Sequence, residues 1–202
     1  MRHETIGFAL CGSFCTFSKA FAALETLLQH YDHVIPIVSE VSWKTDTRFG
    51  IAQTHLERLE ALCGHAVLHT QTEVEPFGPQ KTLDALVIAP CTGNTLAKLA
   101  HGIADSTVTL AAKAHLRNAK PIVLAISSND ALAAGAENLG RLLNRKHYYF
   151  VPFRQDSPEG KPTSLVAELD LLTQALDAAL NGKQLQPMLL APAQERPTTA
   201  HP

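Results

Sequence analysis

No CxxC pair occurs among the four cysteines, Cys11, Cys15, Cys63 and Cys91. That removes both a zinc-ribbon spacing and a dithiol redox motif, and in a reducing compartment these thiols stay unpaired. No GxGxxG is present, so the dinucleotide fingerprint is missing. No apolar run approaches the length of a membrane span. The opening Met1-Arg2-His3-Glu4-Thr5 leads directly into a strand pattern, and no secretory signal is expected there. Charge of one sign is equally scarce. The 17 Lys and Arg against 19 Asp and Glu leave a net charge of -2, without the basic footprint of a nucleic-acid-binding surface. His65 and His69 have the spacing of a helical metal pair, but they bracket Ala66-Val67-Leu68, which reads as a short strand, so no metal site is expected. The absences point to a cytoplasmic, globular chain of 202 residues, long enough to bury a sizeable core in one large domain.

What is present is an alternation of short apolar runs and amphipathic stretches. Strands are predicted at Thr5–Cys11, at His33–Val38 (with Pro36 suggesting a position near a sheet edge), at Leu86–Ala89, at Pro121–Ser127 and, last, at Tyr148–Pro152. Helices are predicted from Ser18, with Phe17, Phe21, Leu24, Leu28 and Tyr31 as the buried face, and over 51–63, ended by Gly64. A further helix follows Pro90, capped by Asn94 or Thr95 and buried along Leu96, Leu99, Ala100 and Ile103. Ser106 caps the next, and another carries Leu132, Leu139, Leu142 and Leu143. Ser164 is expected to cap a final helix striped with Leu165, Leu169, Leu172, Leu176 and Leu180. The stretch 155–162 reads as an open polar loop, and Trp43–Gly50 as an exposed loop. The domain is therefore placed at 1–182, with 183–202 as a tail. Alternating strands and helices with short loops predict an α/β fold with a single doubly wound, mostly parallel, Rossmann-like sheet.

In such sheets ligands bind beyond the carboxyl ends of the strands. Small hydrogen-bonding residues gather in the four loops that would lie there: Gly12-Ser13, Ser39, Thr92-Gly93-Asn94 and Ser127-Ser128-Asn129. A strand, a loop without bulky side chains and a helix N-terminus suit a phosphate, a carboxylate or a polarised ring carbonyl. Residues alone thus predict a site for a phosphorylated or carboxylated ligand, with the chemistry unspecified.

Residues 89–105, APCTGNTLAKLAHGIAD, resemble the APATANTIAKIANGIAD signature of the FMN-dependent cysteine-decarboxylase-like flavoproteins. Further stretches are similar to one branch of that family, the dipicolinate synthase B subunits: GFALCGSFCTF at 7–17, TDTRFG at 45–50, AAKAHLRNAKPIVLAISSNDAL at 111–132, FVPFRQDSPEGKPTSLVAELDLL at 150–172 and LQPMLL at 185–190. The resemblance implies a flavoprotein fold and a sporulation protein of the mother-cell cytoplasm. It implies a partner, the dipicolinate synthase A subunit, which binds NAD(P), and oxidation of a dihydrodipicolinate-type precursor to dipicolinate. By position, Gly12, Ser13, Ser39, Thr92, Gly93, Asn94 and Ser127 would contact FMN. The decarboxylases' PxMNxxMW segment is replaced by Ser127-Ser128-Asn129-Asp130, and their Gly-rich Cys loop is missing, so cysteine decarboxylation is not expected. No catalytic residue stands out. Lys44 and Arg48, with Arg154 behind them, are the candidates for holding substrate carboxylates. A second reading keeps the fold as a binding or scaffold subunit without redox chemistry. The resembling flavoproteins build their sites between subunits, so a homo-oligomer, a trimer or a multiple of one, is expected, with Trp43 buried by a neighbouring copy.

Overall fold

The structure, a computed structural model, describes residues 2–191. Seven strands run in chain order as β1 (Arg2–Leu10), β2 (Tyr31–Val38), β3 (Ala85–Cys91), β4 (Ile122–Ser128), β5 (Tyr148–Phe150), β6 (Phe153–Ser157) and β7 (Lys161–Ala167). The helices are α1 (Phe17–Leu28), α2 (Glu40–Lys44), α3 (Ala52–Cys63), α4 (Gln71–Val74), α5 (Phe77–Gln80), α6 (Gly93–His101), α7 (Thr107–Leu116), α8 (Ala136–Leu143) and α9 (Leu172–Leu180). One sheet is formed in the order β2-β1-β3-β4-β7-β6, with β5 also paired to β4. β1 to β5 are parallel, and β6 and β7 form an antiparallel hairpin.

Burial on both faces explains the central strands. Every residue of β3 is buried, as are the first five of β4, which is why they read as unbroken apolar runs rather than alternating ones. α1, α3 and α9 pack together on one side: α1 touches α9, and Phe17 and Phe21 of α1 lie against His55 of α3. α6, α7 and α8, with the short α4 and α5, make the other layer. β2 is an edge strand, as Pro36 suggests, and beyond it, among the described residues, only the isolated bridge Ile37–Leu68 extends the sheet.

Several expectations are corrected. The strand predicted to end at Ala89 runs on through Pro90 to Cys91. Neither Asn94 nor Thr95 caps the following helix. Thr92 does, accepting the Thr95 N–H at 3.2 Å. Ile103 lies beyond the end of α6, past the left-handed Gly102, and is exposed rather than core. On α1 it is Leu27 that is buried, while Tyr31 already belongs to β2. Trp43 is not in an open loop but in the short helix α2.

The largest correction is at the carboxyl side. Tyr148–Phe150 is not the last strand, and 155–162 is the turn region of a hairpin rather than an open loop. Ser164 is a buried strand residue and caps nothing; the final helix starts only at Leu172. β5 pairs with the first half of β4, through Ile122–Leu124, and β7 pairs antiparallel with its end, through Ser127 and Ser128. The hairpin therefore stands as a wall at the carboxyl edge of the sheet. Of the expected tail, 192–202 lie outside the described residues. Residues 184–190 run along the sheet: the Gln184 amide accepts from Phe150 N at 2.8 Å and donates to its carbonyl at 2.7 Å. Phe153 N donates to Met188 O, and Leu190 N donates to Phe153 O, both at 2.9 Å.

Candidate functional site

Chain order reverses between β1 and β3, because β2 lies on one side of β1 and β3 on the other. A crevice forms at such a switch point, outside the carboxyl ends of the two strands. Here it is a cleft of about 290 Å³ whose lining includes Gly12, Ser39, Val41, Thr92, Asn94 and Ser106. Its floor is set by bare backbone. A Cβ on Gly12 would lie 3.1 Å from Val41 Cγ1, and one on Gly93 would lie 2.6 Å from Ser128 Oγ. The second distance is too short for any real contact, so Gly93 is what lets the β3 loop close on the β4 loop. The first intrahelical bond of α6 runs from Leu96 N to Thr92 O at 2.8 Å, which leaves the Gly93 and Asn94 N–H groups ahead of it, at the positive end of the helix.

The charges bordering this cleft are already engaged. Glu40 accepts the Thr107 N–H at 2.8 Å, tying the loop after β2 to the start of α7. Lys98 pairs with Asp105 at 2.8 Å, which holds the Asp105 carboxyl below its usual range. Burial pushes the Cys11 thiol up to about 11, although the Thr95 hydroxyl donates to its sulfur at 3.3 Å. The Cys91 thiol is raised well above its ordinary value for the same reason, burial. Neither is a thiolate nucleophile at neutral pH.

Ser13 leads into a second cleft, of about 280 Å³, between the β1 loop, the end of β4 and the hairpin. Three hydroxyls knit its base. Ser13 Oγ lies 2.8 Å from Ser127 Oγ, Thr16 Oγ1 lies 2.9 Å from the same atom, and Ser13 and Thr16 are 3.2 Å apart. The hairpin is fixed to the β4 loop by Thr163, which donates to Asn129 O at 2.7 Å. Lys19 and Lys161 also line this cleft, with Cys15 and Asp156. Reading the sequence missed them: Lys19 sits on the polar face of α1 and Lys161 in what resembles a turn.

The sequence-derived candidates thus divide. Gly12, Ser39, Thr92 and Asn94 meet in the first cleft, Ser13 and Ser127 in the second, and Gly93 sits where the β3 and β4 loops meet. Lys44 lines a separate depression beside Trp43 and His69. Arg48 is exposed, its guanidinium 4.8 Å over the Phe49 ring. Arg154 pairs with Glu168 in a depression that adjoins the second cleft and shares Lys19, Asp156 and Val166 with it. None of the three lines either cleft. Trp43 stacks on His69 of its own chain, with ring centroids 3.5 Å apart and planes within 5°. Among the described residues no helix is long and apolar enough to cross a membrane.

The profile of the family described as Flavoprotein matches residues 1–164. The B subunit of dipicolinate synthase from Bacillus subtilis (strain 168) is 44% identical over 190 residues, covering 94% of this chain and 95% of that one. The crystal structure of the corresponding B subunit from Bacillus halodurans shares 40% identity with a TM-score of 0.85, covering 94% of this chain and 97% of that chain. The FMN-dependent cysteine decarboxylase SpaF superposes with a TM-score of 0.61 at 26% identity, over 87% of this chain and 97% of that one.

Proposed function

This chain belongs to the flavoprotein family, in the branch of the dipicolinate synthase B subunits, and from that premise we propose that it is the FMN-binding component of a dipicolinate synthase. The observation that carries the reading is the crevice at the β1/β3 switch point, lined by Gly12, hydroxyls and the amino end of α6. Its donors fit the cofactor. Ser39, Thr92 and the N–H groups of Gly93 and Asn94 would hold the phosphate, as helix N-termini hold anions. Gly12 leaves room for close approach, so that the edge of the ring system would reach the border of the second cleft at Ser13. Bound there, FMN supplies a two-electron acceptor for aromatising a cyclic dicarboxylate. Ser13, Thr16 and Ser127 orient ligands by hydrogen bonding, and the hairpin keeps water from one side of the cleft.

The chain is proposed to act with the NAD(P)-binding A subunit of the synthase, in the cytoplasm of the mother cell of a sporulating bacterium. It is also proposed to assemble as a homo-oligomer, a trimer or a multiple of one. A second reading, a binding subunit without redox chemistry, is favoured by one observation. The titratable groups in the first cleft are Cys11, which stays a thiol, and the engaged Glu40 and Lys98. No free general base stands there among the described residues.

Calorimetric titration of the purified chain with FMN should show stoichiometric binding, and dipicolinate should form only when this chain is combined with its NAD(P)-binding partner. Absence of FMN binding removes the cofactor assignment. Equal product formation by the partner on its own establishes the second reading.

A further inference from the structure

We propose that the second cleft, between Ser13, Ser127 and the β6–β7 hairpin, seats a small ring bearing two carboxylates, which Lys19 and Lys161 hold. The identity of the ring rests on the synthase reading above; the charge and size of the ligand do not. Lys19 projects from α1, and among the described residues no carboxylate lies within ion-pairing distance of it. Lys161 opens β7 and is paired with Asp156 at 2.8 Å, a bond that raises its pKa. An ammonium has three donors, so one bond to Asp156 leaves two for a ligand. Two cations bordering a cleft whose base is knit from hydroxyls (Ser13, Thr16, Ser127) match a dianion with a polar edge.

Volume narrows the ligand class. About 280 Å³ is at the lower end of ligand cavities and too small for a peptide or a dinucleotide. Position narrows it further, because Ser13 follows directly on Gly12 of the first cleft, so a ring here lies beside the proposed cofactor. Asp156 decides the sign. Among the described residues it is the only carboxylate lining this cleft, and it competes with an anionic ligand for Lys161 while repelling it.

The test titrates the full-length chain, without FMN and saturated with it, with pyridine-2,6-dicarboxylate, pyridine-2-carboxylate and pyridine. The 2,6-dicarboxylate should bind at least tenfold more tightly than the monocarboxylate, since each charge-assisted contact is worth roughly tenfold. Lys19→Ala and Lys161→Ala should each weaken it about tenfold with the Tm and the FMN affinity unchanged, and Asp156→Asn should strengthen it several-fold. If neither FMN state binds the dicarboxylate, or both lysine variants bind it like the wild type, or Asp156→Asn weakens it, the assignment is overturned. Dicarboxylate binding that depends on both lysines in a chain that takes up no FMN would support this cleft while removing the cofactor reading.

Discussion

His115 offers the sharpest test of the packing beneath the site. The ring is fully buried in α7, its Nε2 lies 3.0 Å from Pro121 O, and its Nδ1 has no partner. Burial pushes its pKa down to about 4, with the nearby Lys120 adding to the effect. Unfolded, the same imidazole titrates at its ordinary value of 6.5. Above pH 6.5 it is neutral in both states and contributes nothing to the pH dependence. As the pH falls from 6.5 towards 4, the unfolded chain takes up a proton that the folded chain refuses, and stability is lost. At pH 4.5 the loss attributable to this one residue is roughly 2–3 kcal/mol. His115→Gln keeps a neutral donor for Pro121 O and removes the titration. Urea unfolding at pH 7 and pH 4.5 should therefore show the wild-type midpoint falling about 1 M further than that of the variant, for a slope near 2 kcal/mol/M. Glu73, whose hydrogen bonds hold its carboxyl low, loses stability in acid as well, but it does so in both proteins and cancels in the difference. Identical pH dependence in the two proteins would refute the argument.

Gly93→Ala places a Cβ 2.6 Å from Ser128 Oγ and so must part the β3 and β4 loops. FMN affinity measured by flavin titration should fall at least tenfold, with a Tm loss of several degrees. Asn94→Asp should weaken FMN binding several-fold by repelling its phosphate. The same carboxylate is favourable in the first turn of α6 by about 0.3–1 kcal/mol, so an unchanged or slightly raised Tm would separate the binding defect from unfolding. Trp43→Ala removes the stack on His69 and should cost roughly 2 kcal/mol in urea unfolding. Its mass by light scattering should stay that of the wild type, because one face of the indole is occupied by its own chain.

The central layer was readable because two-sided burial writes itself as apolar runs. β3 and β4 were found within a residue or two at most boundaries, and Ser106 was found as a cap because its hydroxyl meets the Thr109 N–H. The four loops that border the two clefts were equally legible: each is a run of small polar residues directly after an apolar strand. The hairpin was not. Leu165 and Leu169 stand four residues apart and in step with the leucines of α9, so a buried strand residue and a buried residue of a short 3₁₀ helix counted as helix periodicity. Lys19 was invisible for another reason: nothing near it in sequence shows that Lys161, far along the chain, will line the same cleft. Lys44 and Arg48 follow the second strand closely in sequence, but α2 carries Lys44 to the depression beside His69 and Arg48 lies over Phe49 in solvent.

The stitching of residues 184–190 onto Phe150 and Phe153 has a bearing on how the chain is made. The amides and carbonyls they satisfy belong to β5 and β6, the strands left uncovered on that side of the sheet. During synthesis these strands emerge before the segment that completes them, and until it arrives they present an unpaired edge to other nascent chains. This late-made stretch is thus a closing stitch. A ribosome that stops at Gly182 would release a polypeptide holding all seven strands and nine helices of the described fold, yet still able to pair with its neighbours.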